Sequence, residues 1–206
     1  HTHGQAVMNT DISKLLADMR ALQDQLEDIL DEARERFRYT LEDGRAHFTR
    51  EVQLLQRRYR VSSIRYLLDS DWRSIVTAPV IYAMLIPLTA VDLSFSLYQH
   101  ICFRAYGVPR VRRRDYLVND RHRLVYLNTI EKVNCAYCGY GNGVIAYARE
   151  IISRTEQYWC PIRHANRVTD PHARYVRFFP FGDAQGYQNG AMDKRQALRE
   201  EPHDHS

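Results

Sequence analysis

From Asp11 onward the apolar side chains fall at Ile12, Leu15, Met19, Leu22, Leu26, Ile29 and Ala33, with spacings that alternate between three and four. That heptad rhythm predicts a helix with a coiled-coil seam, capped by Thr10 or Asp11. After Gly44 the period resumes at Phe48, Val52, Leu55 and Tyr59. The pattern therefore predicts one long helix, or two in line with a soft point at Gly44. Its apolar stripe is narrow and its flanks are densely charged, which points to self-association rather than packing against its own domain.

The pattern then changes. From Ser74 to Val91 there are eighteen residues without a charge, Asp92 interrupts, and Leu93 to Phe103 is again uncharged apart from the potential of His100. Eighteen is the lower limit for a spanning helix, and two full spans need about forty residues. Pro79 and Pro87 disfavour one straight helix. A re-entrant, membrane-inserted hairpin bent near Pro87 satisfies these constraints, with Asp92 shallow or paired with an arginine of a neighbouring chain. A buried helix pair in a soluble core and a single tilted span are the alternatives.

Beyond it, Val108 to Asp120 reads as irregular. Leu124, Leu127, Ile130 and Val133 suggest a short helix capped by Asp120, and Gly139, Gly141 and Gly143 a tight loop. Val144 to Tyr158 reads as a further helix stopped by Pro161. From Pro180 the residues are those of a mobile tail. The expected organisation is a mainly α chain in four parts: residues 1–73 a coiled-coil helical region, 74–107 a membrane-inserted hairpin, 108–179 a small helical Cys/His module, and 180–206 a tail.

Charge sharpens the membrane reading. The formal net charge is only +4, but Arg57, Arg58, Arg60, Arg65 and Arg73 precede the apolar stretch, and Arg104, Arg110, Arg112, Arg113 and Arg114 follow it. Basic clusters on both flanks point to anionic lipid head groups and place both ends on the cytoplasmic side. The expectation is a monotopic protein at the cytoplasmic face of a membrane. Few aromatic residues interleave with the arginines, so a nucleic-acid partner is not expected. The mean hydropathy of −0.50 excludes a polytopic membrane protein. No secretory signal pattern opens the sequence, so a reducing setting with free or metal-bound thiols is expected.

The candidate chemistry lies on the cysteines. Cys135 and Cys138 form a CxxC pair, and Cys160 and His164 complete the spacing C-x2-C-x21-C-x3-H. Three thiolates and an imidazole suit tetrahedral zinc, or iron. The ligands meet only if the intervening helix is short or bent, or if two chains share the site. A second reading is redox: a CxxC ahead of a helix N-terminus favours the thiolate and allows disulfide exchange. A third leaves the cysteines inert. No GxSxG, Walker A or GxGxxG pattern occurs.

The segments Asn134-Cys-Ala-Tyr-Cys-Gly-Tyr-Gly-Asn-Gly143 and Tyr158-Trp-Cys-Pro-Ile-Arg-His-Ala165 resemble the NCxYCxYxNG and YWCPIKHA motifs of an uncharacterised bacterial membrane-associated family. Arg163 stands where that pattern has Lys. CAYCGY and WCP are also similar to rubredoxin knuckles, but the fourth rubredoxin cysteine would fall at Arg163. The resemblance implies that the apolar segment and the cysteines form one module, and it implies no reaction. The functional expectation is a metal-binding, membrane-associated homo-oligomer. A thiol-disulfide or metal-redox enzyme at the membrane face, and a membrane scaffold with inert cysteines, are the alternatives.

Overall fold

A computed structural model describes residues 2–42 and 45–201, with side chains described from Ala17 onward apart from residues 20, 41, 42 and 45. The expected soft point at Gly44, the tail beyond residue 201, and the seam side chains Ile12 and Leu15 lie outside the described residues. Helices make up 71% of the described residues, so the mainly α expectation is met. The chain divides into two compact units, 1–60 and 61–206.

In the first unit, α1 runs from Thr2 to Phe37, beginning well before the expected cap. The seam residues Met19, Leu22, Leu26 and Ile29 are all exposed. The single unbroken helix is not found, since α1 stops at Phe37 and a second helix begins only at Arg50. Arg38 adopts φ +52, a left-handed conformation that ends the helix. β1 (Tyr39–Glu42) and β2 (Arg45–Phe48) then pair antiparallel, with Tyr39 opposite Phe48 and their ring centroids 5.6 Å apart. The intervening Asp43-Gly44 is the dipeptide that favours two-residue hairpin turns, a signal the helical period concealed. α2 (Arg50–Arg57) follows.

The second unit begins with α3 (Ser63–Leu68), whose first turn is capped by the Ser62 hydroxyl accepting from Arg65 N. α4 (Trp72–Ala83) is capped by Asp71, and α5 runs from Leu85 to Tyr106. Between them Met84 keeps right-handed helical angles (φ −64, ψ −12), so the chain does not reverse there. The hairpin expected near Pro87 is thus replaced by a continuing helical path. Proline removes only one hydrogen bond and bends a helix, whereas a reversal needs several non-helical residues. Gly107, at φ +69, ends α5 and lets Val108 N reach Phe103 O at 2.9 Å.

After a short helix α6 (Arg113–Tyr116) and a 3-10 turn at Arg121–Arg123, α7 extends without interruption from Thr129 to Trp159. Its capping box is complete: Asn128 Oδ1 accepts from Glu131 N at 3.0 Å, and Glu131 Oε2 accepts from Asn128 N at 2.8 Å. The short helix expected from Asp120 and the loop at Gly139–Gly143 are therefore both corrected. The glycines serve packing instead of turning. A Cβ on Gly143 would lie 2.8 Å from the Tyr116 carbonyl oxygen and 3.0 Å from Leu117 Cα, and one on Gly141 would lie 3.3 Å from Leu88 Cδ1. Glycine costs about 1 kcal/mol against alanine in a helix, and here it admits the returning chain and α5 to close contact.

α5 and α7 run parallel. Tyr82 meets Asn134, Ser96 meets Tyr147, Tyr98 meets Thr155, and Tyr106 stacks on Tyr158. The core between them holds Phe103, Val108, Val111, Tyr147, Ile151 and Leu198. Leu198 belongs to α8 (Ala184–Arg199), where a mobile tail is expected from the sequence. Two anchors order this segment: Asp183 caps α8 by accepting from Gly186 N at 2.8 Å, and Leu198 is fully buried.

Candidate functional site

The path Trp72–Tyr106 is 35 residues long, and its most apolar eighteen-residue window has a mean hydropathy of 1.9 with none of it buried in the protein. It is long and apolar enough to cross a membrane, by length and composition. α4 contributes no buried residue, and Trp72, Val76, Val80 and Met84 are all exposed. Thr77 donates its hydroxyl to Arg73 O at 2.8 Å, so this polar group is satisfied within the helix.

Along α5 the faces separate. Ile86, Leu93, Leu97 and Ile101 point outward and are 75%, 67%, 61% and 58% exposed. Two polar side chains, Asp92 and Gln99, point inward, while Thr89, Ser94 and His100 stay exposed. Asp92 is held by Arg113 through Nε at 2.9 Å and Nη2 at 2.6 Å, and it also accepts from the Tyr140 hydroxyl at 3.0 Å. The carboxylate expected to seek a neighbouring chain's arginine, or to sit shallow, therefore has a partner in its own chain. Gln99 donates to Val111 O at 3.2 Å and accepts from Val111 N at 2.9 Å.

The cysteines are placed differently from the expectation. Cys135 is half-buried and Cys138 exposed, both inside α7, while Cys160 ends that helix and is exposed. Cys138 and Cys160 are separated by twenty-two residues of sequence, or about 33 Å along a helix at 1.5 Å per residue. One chain thus does not bring Cys135 and Cys138 to Cys160 and His164. His164 stacks on Tyr175 instead, with its backbone N–H donating to the Tyr175 hydroxyl at 2.7 Å. Among the described residues no group of three or more His, Cys, Asp or Glu is arranged to hold a metal ion. Cys102 is half-buried in α5. The CxxC also begins six residues past Thr129, beyond the first turn where a helix dipole favours a thiolate.

Comparisons with family models, curated proteins and solved structures give no match to this chain.

A second cluster escaped the sequence reading. Arg174, with its side chain 10% exposed, donates to Glu150 Oε1 at 3.0 Å, Gln157 Oε1 at 3.0 Å and Glu201 Oε1 at 2.7 Å. Arg154 adds a bond to Glu150 at 2.8 Å and another to Pro109 O at 2.7 Å. Burial pushes the Glu150 carboxyl up, but the Arg154 hydrogen bond and the nearby Arg174 charge outweigh it and hold the group below its ordinary 4.5. Glu201 behaves likewise: burial raises it, and Arg174 and Arg177 bring it below 4.5. The Glu150–Arg154 spacing of four is a visible helical signal. Arg174 and Glu201 are distant in sequence and carry none. The cluster ties α7, the 3-10 segment Ala173–Arg177 and the end of α8 together, and is structural.

Proposed function

We propose that this chain is a membrane-attached scaffold. The apolar helix holds it to an anionic, cytoplasmic-side membrane surface, α1 joins copies through its heptad seam, and the α7 module is what is displayed. The observation that carries this reading is the unburied window of mean hydropathy 1.9 in Trp72–Tyr106. A soluble protein rarely leaves so long a run of apolar side chains in water, because each exposed leucine or isoleucine forgoes about 1.5–3 kcal/mol of burial. The arginines on both flanks add attraction to anionic head groups of about 1 kcal/mol per residue near the surface. Metal and thiol chemistry are not part of the proposal, since α7 spaces the candidate ligands apart and sets the CxxC away from a helix end.

Membrane extraction of the full chain tests it. The protein is expected to stay with membranes through a high-salt wash and an alkaline carbonate wash, and to leave only in detergent. Release by salt alone would assign the attachment to the arginines and overturn the role given to the helix.

A further inference from the structure

The parallel pairing of the apolar helix with α7 constrains how the helix meets lipid. We propose that Trp72–Tyr106 lies along the membrane surface rather than across it, with Ile86, Leu93, Leu97 and Ile101 in lipid and the α7 module on the aqueous side. The inference rests on the membrane attachment proposed above and adds its orientation.

Register is the first reason. Tyr82 sits at the middle of the uncharged run, and its hydroxyl donates to the Asn134 side chain while its ring meets Tyr137 edge-on at 5.7 Å. Asn134 is only two and three residues from Lys132 and Glu131, about 3–5 Å along α7. The 3-10 turn Arg121–Arg123, with Arg121 and Arg123 exposed, also packs against α7. A helix set across the bilayer would carry Lys132 and Glu131 to the level of its own midpoint. Charged residues there cost about 2.5–3.5 kcal/mol each. The irregular backbone from Leu124 to Asn128 would be drawn in as well, and lipid-exposed irregular backbone is not tolerated in hydrocarbon.

The separation of faces is the second. Along α5 the large exposed side chains are Ile86, Leu93, Leu97 and Ile101, with Thr89, Ser94 and His100 as exposed polar neighbours, while the Asp92 carboxylate and the Gln99 amide are buried against the module. A spanning helix needs an apolar surface all round except where protein covers it, whereas one lying in the interface needs a single apolar face. Interfacial helices sink about 5–10 Å and a helix is about 10 Å wide. α4, which meets the module at Tyr82 and is otherwise largely exposed, can therefore immerse over most of its width, while α5 sinks by its outward half. This orientation also sets the exposed Arg73 and Arg104, one near each end of the path, on one anionic surface.

Depth measurement decides the matter. Single tryptophans are placed by Ile86→Trp or Ile101→Trp in the full chain carrying Trp72→Phe and Trp159→Phe. They are reconstituted in phosphatidylglycerol/phosphatidylcholine vesicles with lipids brominated at defined depths. Both positions are exposed, so the core is untouched. Equal, shallow depths support the proposal. A difference approaching 22 Å, fifteen residues of rise, would overturn it in favour of a span. Absence of quenching at both positions would sink the attachment itself, a distinguishable failure. Protease added outside sealed vesicles gives an independent reading on the unaltered chain: cleavage both before Trp72 and after Tyr106 supports the in-plane helix, and protection of one side contradicts it.

Discussion

Ile86→Lys combined with Leu93→Lys is expected to move the protein from the membrane pellet to the soluble fraction. Both residues project from the outward face of α5 and touch little of the protein, being 75% and 67% exposed. The substitutions should therefore leave folding intact. Each removes an apolar side chain whose transfer from water is worth at least about 1.5 kcal/mol. The pair then weakens partitioning by about 3 kcal/mol, on the order of a hundredfold. Sedimentation of the full chain with vesicles measures it. A control isolates the face: Ile145→Lys with Ile152→Lys alters two comparably exposed residues of α7 (56% and 51%) that the account places in water, and binding should not change. Equal losses from both pairs would mean that general hydrophobicity, and not this helix face, governs attachment.

Arg174→Met is expected to destabilise the second unit strongly. The methionine fills similar volume but removes the cation shared by Glu150, Gln157 and Glu201. Removing one member of a buried ionic cluster costs on the order of 3 kcal/mol, because the desolvated partners remain. For a unit of this size that is a fall in melting temperature of about 6–12 °C, read by circular dichroism in vesicles. The cluster also predicts a pH dependence. Glu150 and Glu201 titrate below their ordinary 4.5 in the folded protein. Their contribution is thus complete above that value and is lost as pH falls through the lowered folded values. The parent protein should lose stability below pH 4.5, and Arg174→Met should show a shallower acid limb.

The sequence was most legible where one physical signal acted alone. The uncharged run from Ser74 to Val91 marked the apolar helix, because hydropathy depends on composition and not on fold. The heptad spacing of Met19, Leu22, Leu26 and Ile29 marked α1, although Ile12 and Leu15 lie among side chains the structure does not describe. Beyond Phe37 the period of Val52 and Leu55 marked α2, but extending it back to Phe48 hid the strand pair and its Asp-Gly turn signal. Gly139, Gly141 and Gly143 misled more seriously. Glycine marks both turns and close helix packing, and only the position of Tyr116 and Leu117 against Gly143 separates the two. Reading a loop there set Cys135-x-x-Cys138 ahead of a helix N-terminus, whereas α7 carries both cysteines within its length. Partners such as Asp92–Arg113 and Arg174–Glu201 were invisible, since nothing in a single sequence reports contacts so far apart along the chain.

The central claim is that Trp72–Tyr106 meets lipid. Photolabelling with a lipid-dissolved carbene precursor, followed by peptide mapping of the full chain in vesicles, tests it most directly. Label is expected on the outward side chains Ile86, Leu93, Leu97 and Ile101, with little on the inward Phe95, Gln99 and Phe103. Label spread evenly over the molecule, or absent from this helix, would contradict it.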